Sequence, residues 1–199
     1  AHGATRKSVR GAAARLGKAM KSQKLSQNNW YVVTGAPSSG KTTTLEFIEK
    51  DGFKVFYEWA RIYIDAEMKK GRTLGEIRKD ELDFQKKILK LKVDFEKKLN
   101  PKELIFMERG IPDSTAYMKM MGAHNDKSLQ RALKNCQYKK VFLVELIKYE
   151  IDYARTESQE EAILLDNLLE ESYVSLGIEV VRVPKMSVEE RVKFIKNNL

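Results

Sequence analysis

The chain has 199 residues, 42% hydrophobic and 33% charged, which excludes a disordered tail and points to one folded domain with a substantial core. No apolar run approaches the ~20 residues of a membrane span, and the single cysteine, Cys136, excludes an intramolecular disulfide framework and fits a reducing, cytoplasmic compartment. The net charge of +9 suggests nucleic acid until it is located: eight of the 37 bases precede the first acid, Glu46, and the remainder of the chain carries 29 bases against 28 acids, so the body is nearly neutral and nucleic-acid binding by it is disfavoured.

Residues 1–28 read as a basic arm. They are rich in Ala, Arg, Lys, Ser and Gly, and Val9, Ala13, Leu16 and Met20 can share one weak helical face. Acid-free and Arg-rich composition is that of an organellar transit segment (residues 1–24) or of an arm for anionic surfaces. It is also that of a solvated, disordered lead-in or an expression remnant with Met20 as a candidate start, the reading favoured here. The missing apolar core argues against a secretory signal.

Residues 29–199 read as one nucleotide-binding domain. Trp30 to Val33 is a β-rich run ending in a Gly-rich turn, and Thr42 to Lys50 is a helix closing near Gly52. Phe53 to Tyr57 is a second strand, followed by a helix from Ile62 to Lys70 that stops at Gly71. Thr73-Leu74-Gly75-Glu76 has the capping-box pattern and opens a long helix to about Leu99, with Ile77, Phe84, Ile88, Leu91 and Phe95 as its apolar stripe. Asn100-Pro101 ends it. Leu104 to Met107 is a third strand, Pro112-Asp113 starts a helix through Met121, and Val141 to Leu146 is a fourth strand. Ser158 to Glu161 is a second capping box, for a helix stopped by Gly177. Ile178 to Val183 is the fifth strand, and Ser187 to Glu190 caps the last helix, with Val192 and Ile195 inward. Strands alternating with helices predict an α/β fold with a parallel sheet covered on both faces.

Gly35-Ala36-Pro37-Ser38-Ser39-Gly40-Lys41-Thr42 matches G-x-x-x-x-G-K-[ST] at every fixed position, a match expected by chance in a chain of this length on the order of 1% of the time. It sits between a strand and a helix, as its mechanism requires. Its glycines let successive N–H groups close on phosphate oxygens, and the following helix adds its positive end. The phosphate-binding residues are therefore Gly35 to Thr42 with Thr43; Lys41 reaches the β- and γ-phosphates and the Thr42 hydroxyl is a Mg²⁺ ligand.

The absence of an Asn-Lys-x-Asp motif argues against a GTPase, and the ~150 residues after the loop leave little room for the sensors and lids of a mechanical motor. No zinc spacing or catalytic triad occurs. His124 reads as a solvated loop residue, Cys136 as semi-buried packing, and Met118, Met120 and Met121 as core or lid filling. Charged clusters stand instead at strand ends: Glu58 and Arg61 after the second, Glu108, Arg109 and Asp113 after the third, Asp152, Arg155 and Glu157 after the fourth. In an open α/β sheet those ends gather the ligand.

The motifs E-x-x-R-x-Y-I (Glu58, Arg61, Tyr63, Ile64) and E-R-G-I-P-D-S-x-A-Y (Glu108 to Tyr117), set behind the phosphate loop, resemble the NadR-like P-loop ATPase and kinase family, an AAA-labelled group that includes ribosylnicotinamide kinase domains. The closing S-L-G-I-E-V-V-R-V-P (Ser175 to Pro184) and V-E-E-R (Val188 to Arg191) are similar to its C-terminal end, so the resemblance covers about residues 30–198. Glu108 stands where Asp is commoner, which keeps the charge and lengthens the arm. The layout also resembles deoxynucleoside kinases, with their basic lid after the fourth strand. The resemblance implies a three-layer P-loop fold, strand order 2-3-1-4-5, a helical lid region and MgATP as co-substrate.

Each side chain has two readings. Glu58 is the base for a hydroxyl acceptor or a solvated helix-start residue. Arg61 orients Glu58 or holds substrate, or else forms a surface ion pair. Glu108 supports Mg²⁺ directly or through water. Arg109 stabilises the transferring phosphoryl group or makes an internal salt bridge. Asp113 contacts acceptor or metal, or caps a helix. Arg155 is a lid arginine with a phosphate-matching fork or a solvated charge. The expected function is a small-molecule kinase acting on a nucleoside or ribosyl hydroxyl; the rivals are a nucleotide-dependent regulatory switch and nucleic-acid binding through the arm. Acceptor and oligomeric state are not marked in the sequence.

Overall fold

The computed structural model describes residues 28–146 and 159–199. The expectations for residues 1–27 of the basic arm, for the Ser158 cap and for Asp152, Arg155 and Glu157 fall on residues outside these. Among the described residues no helix is long and apolar enough to cross a membrane.

Five strands form one parallel sheet: β1 (Trp30–Thr34), β2 (Lys54–Phe56), β3 (Ile105–Glu108), β4 (Lys140–Val144) and β5 (Val180–Val183). Their order is β2-β3-β1-β4-β5, as the resemblance implies. Strand β1 is central, with Val33 beside Glu108 of β3 and Thr34 beside Leu143 of β4. All five residues of β1 are buried, so it reads as a continuous apolar run rather than an alternating one.

The two-residue period of β1 nonetheless separates the cores. Tyr31 and Val33 pack with Leu45, Ile48, Phe106, Phe142, Val192 and Ile195, a core beneath α1 (Lys41–Lys50) and the C-terminal helix. Trp30 and Val32 face the other way, with Ile105, Met107, Tyr138, Val141 and Tyr173. That second face is covered by α4 (Glu81–Glu96), α5 (Asp113–Met120) and α7 (Gln159–Val174). Against α4 pack α2 (Trp59–Met68) and α6 (Lys127–Leu133), with the single turn α3 (Leu74–Ile77) against α2; α8 (Val188–Asn197) is the last helix. The layers are therefore helix, sheet, helix. Met118 is fully buried in a cluster with Leu89 and Leu129, and Cys136 is half-buried beside it.

One expected helix is two. Thr73 and Glu76 do form a reciprocal capping box, but it caps only α3. The chain leaves the helix at Arg78, and Asp80 starts α4 afresh by accepting from the Asp83 N–H at 2.9 Å. The apolar stripe runs across the break because Ile77 packs with Phe84 and Ile88 in one cluster without sharing a helix with them. Helix α6 was not expected; Asp126 caps it through the N–H groups of Ser128 and Leu129, and it buries Leu129 and Ala132. Helix α2 begins at Trp59, three residues before the expected start, directly after Glu58.

The Asp80 cap can be tested. Replacing an N-cap Asp by Ala costs ~1 kcal/mol, so Asp80→Ala is expected to lower the urea midpoint and to speed amide exchange in the first turn of α4. Faster exchange in α3 alone would mean that α4 does not start at Asp80.

Candidate active site

The phosphate loop joins β1 to α1. Gly35 has φ 146°, and a Cβ placed there would lie 2.4 Å from the Val144 carbonyl oxygen, so only glycine fits. Gly40 is left-handed at φ 81° and provides the first carbonyl of the helix, accepting from the Thr44 N–H at 3.0 Å. The Lys41 ammonium is buried and folds back over the loop, donating to the Ala36 carbonyl at 2.9 Å and the Ser39 hydroxyl at 3.3 Å. Thr42 and Thr43 are exposed at the helix start. The Thr42 hydroxyl donates to Glu108 at 2.9 Å, bringing together the two groups expected to hold Mg²⁺.

A hydroxyl and a buried carboxylate at the end of a phosphate loop are a hard-oxygen donor pair that fits Mg²⁺. Among the described residues no group of three or more His, Cys, Asp or Glu could hold a metal. Phosphate oxygens and water are the remaining ligands such a cation takes.

The turn after β3 is held from many sides. Arg109 is left-handed at φ 64°, a conformation a non-glycine residue adopts only where its surroundings fix it. Its N–H extends the ladder to the Val33 carbonyl at 3.1 Å. The next amide, Gly110 N–H, is shared at 3.0 Å between the Asp113 carboxylate and the Tyr173 hydroxyl. Ile111 N–H donates to the Tyr138 hydroxyl at 2.9 Å, and Lys92 donates to the Gly110 carbonyl at 3.0 Å. A Cβ on Gly110 would meet the Tyr138 ring and the Tyr173 hydroxyl at 2.9 Å. Two tyrosines thus leave room for glycine alone.

These bonds aim Arg109. Its Nε donates to Glu58 at 2.9 Å, its Nη1 to Asp113 at 3.2 Å, and its guanidinium lies 5.4 Å from the centre of the Tyr117 ring. Arg109 forms the internal salt bridges of one expected reading, and it also lines the cleft. Asp113 is a correction. It is fully buried, does not line the cleft, and has both oxygens occupied by Arg109, Gly110, Tyr173 and the Thr34 hydroxyl at 2.5 Å. It braces the turn and has no free oxygen for an acceptor.

A cleft opens beside the phosphate loop, and its roughly 770 Å³ of empty space includes open solvent. Lys41, Thr42, Glu58, Arg61, Glu108 and Arg109 all line it. So do Arg78, Phe84, Gln85, Ile88 and Lys92, which the sequence did not mark as site residues. The apolar period places Phe84 and Ile88 in the core, and they are buried. Gln85 offered a signal: a polar residue inside an apolar stripe. It is buried and donates to Glu81 at 3.0 Å.

The two carboxylates are driven apart electrostatically. Burial pushes Glu58 up, but Arg109, Lys41, Lys92 and Arg61 outweigh it and hold the carboxyl below its ordinary range. Burial and the Glu58 charge push Glu108 up, against the pull of Lys41, Thr42 and Arg109. The two neighbouring carboxylates are thus shifted in opposite directions, Glu58 down and Glu108 up.

A family model for the AAA domain matches residues 30–191. No curated protein matches the sequence significantly. Solved structures share the fold. The NadR protein in complex with NR aligns at TM-score 0.63 and 15% identity, covering 84% of this chain and 49% of that one. The NadR protein in complex with NAD and AMP-PNP aligns at 0.60 and 13%, covering 98% and 58%. This chain therefore spans about half the length of the NadR protein. Deoxyadenosine kinase from M. mycoides, with dCMP and a flexible dCDP bound, aligns at 0.60 and 16%, covering 85% and 97%.

The turn also predicts a pH response. The Tyr138 hydroxyl that accepts from Ile111 donates to Glu96 at 2.7 Å. Burial pushes the Glu96 carboxyl from 4.5 up to about 7, against the pull of Tyr138 and Lys92. The folded state keeps this proton after the unfolded chain has lost it, so stability falls as pH rises from about 4.5 to about 7 and then levels. Glu96→Gln is expected to flatten that limb in urea midpoints taken across the window. A difference between the two proteins that is constant with pH would contradict it.

Proposed function

This chain belongs to the AAA domain family, and we propose that it is a small-molecule kinase that transfers the γ-phosphoryl group of MgATP to a hydroxyl of a nucleoside or ribosyl compound. One observation carries this reading: the phosphate-loop residues Lys41 and Thr42 and the strand-end residues Glu58, Glu108 and Arg109 line the same cleft. Complexes of fold relatives with AMP-PNP and with dCMP support the same class of ligand. The single half-buried cysteine supports a cytoplasmic working place.

In this reading the loop amides and Lys41 bind the triphosphate, and Thr42 and Glu108 hold Mg²⁺, which when bound neutralises charge on the β- and γ-phosphates. The acceptor occupies the cleft between the loop and α4, against Phe84, Gln85 and Ile88. Its hydroxyl oxygen forms the new bond to the γ-phosphorus while the bond to the β,γ-bridging oxygen breaks, and the hydroxyl proton passes to a Glu58 oxygen. Arg109 fixes that carboxylate from one side and presents positive charge to the transferring group. A carboxylate held ionised is a weak base, which suits a loose transition state in which little bond to the nucleophile has formed. Arg61 holds the acceptor at the mouth of the cleft, and Arg155 remains a proposed lid arginine.

Two variants test this. Lys41→Ala is expected to abolish MgATP binding while leaving the far-ultraviolet circular dichroism unchanged; unchanged affinity and turnover would sink the assignment. Glu58→Gln is expected to slow single-turnover transfer by roughly 10²–10⁴, with MgATP affinity within a few-fold of the parent. The acceptor for that assay is found by screening nucleosides and ribosyl compounds for ADP release. A slow ATPase rate indifferent to every acceptor would instead support a regulatory switch.

A further inference from the structure

Arg191, the last residue of the V-E-E-R motif, has no part in the mechanism above. It stands in the first turn of α8, is 3% exposed, and is among the most buried charged residues of the chain. Its hydrogen bonds all go to neutral acceptors. Nε and Nη2 donate to the Met186 carbonyl at 3.2 and 3.1 Å. Nη1 donates to the Thr44 hydroxyl at 3.2 Å and to the carbonyls of Ser39 and Gly40 at 3.3 and 3.5 Å. The acids beside it, Glu189 and Glu190, are exposed, and Glu190 is engaged with Ser187. Among the described residues no carboxylate forms an ion pair with it, and burial alone shifts its guanidinium, downward.

A buried cation without an anion is costly, and a helix N-terminus adds to the cost because it is already positive. The position is explained by what lies across the loop. The Ser39 and Gly40 carbonyls belong to the peptide units whose N–H groups are those of Gly40 and Lys41. The peptide bonds are trans, so those N–H groups point away from Arg191, to the side where a phosphate loop holds its ligand. A charged donor on a carbonyl polarises its peptide and strengthens the opposite N–H as a donor.

We propose that Arg191 is a positioning residue for the triphosphate: it transmits positive charge through two phosphate-loop peptides to the phosphates, and the anion that balances it is the nucleotide itself. It also ties the loop to the Met186 turn after β5, so loop and turn form one unit. This rests on the kinase reading above.

Calorimetric titration of MgATP into the parent, Arg191→Lys and Arg191→Gln tests it. Lys keeps the charge and Gln keeps a neutral donor of similar length. Transmitted charge predicts that Gln loses about tenfold or more in affinity, on the scale of a charged hydrogen bond, and that Lys retains most of it. Equal affinities for Lys and Gln would reduce Arg191 to a brace and overturn the proposal. If Gln does not fold, Arg191→Met takes its place as the uncharged variant. A parent that binds no MgATP fails the kinase reading and this proposal together; a parent that binds, with variants indistinguishable from one another, fails this proposal alone.

Discussion

The left-handed turn at Arg109 is the constraint around which the cleft is arranged. Its φ of 64° is unfavourable for a side chain with a Cβ. The turn persists because Asp113, Tyr138, Tyr173, Lys92 and the Val33 carbonyl each take one of its backbone groups. These partners come from β1, α4, α5, α7 and the segment before β4, so the entire domain on that face of the sheet converges on three residues. A guanidinium directed back across the sheet edge then reaches Glu58, 51 positions earlier. Backbone strain and site geometry are thus one feature, since the left-handed residue is the one whose guanidinium joins Glu58 to Asp113.

Electrostatics follow from the same arrangement. Arg109 lies between Glu58 and Asp113, and together with Lys41 it determines which carboxylate of the cleft stays ionised. Glu108, nearer the phosphate loop and deeper, feels Glu58 as a like charge and is left with the Thr42 hydroxyl as its direct partner. Two neighbouring acids with opposite shifts are what burial plus unequal cation access produces.

Much of this was legible in the sequence, and the physical reason differs by element. The sheet was readable because β1, β3 and β4 are short apolar runs between turn residues, a signal that depends on neighbours in the chain. The phosphate loop was readable because its backbone demands glycine at fixed spacing. The strand-end acids and bases were readable because parallel sheets present their carboxyl ends together. The α3–α4 break was not, since the apolar period of Ile77, Phe84 and Ile88 reports a shared packing face rather than a continuous helix. The work of Asp113 was hidden for another reason: its partners Thr34 and Tyr173 lie 79 and 60 residues away, and only the folded chain sets them beside it. Tyr138 and Tyr173 are core aromatics whose hydroxyls accept from the turn, a role that apolar patterning does not encode.

The cleft has two walls of different origin. Glu108 and Arg109 come from the sheet edge with Lys41 and Thr42 beside them at the start of α1, whereas Phe84, Gln85, Ile88 and Lys92 come from a single face of α4. Most of the sheet-edge wall is locked by backbone geometry and by bonds that span the domain, so it tolerates little change. Phe84, Gln85 and Ile88 are side chains on one helix, with the strained turn touching only Lys92 at the far end. Exchanges among the first three would reshape the cleft while leaving the phosphate loop and the Arg109 turn in place. The two walls can therefore change independently, one by exchange of side chains along a helix face, the other only by rebuilding backbone turns.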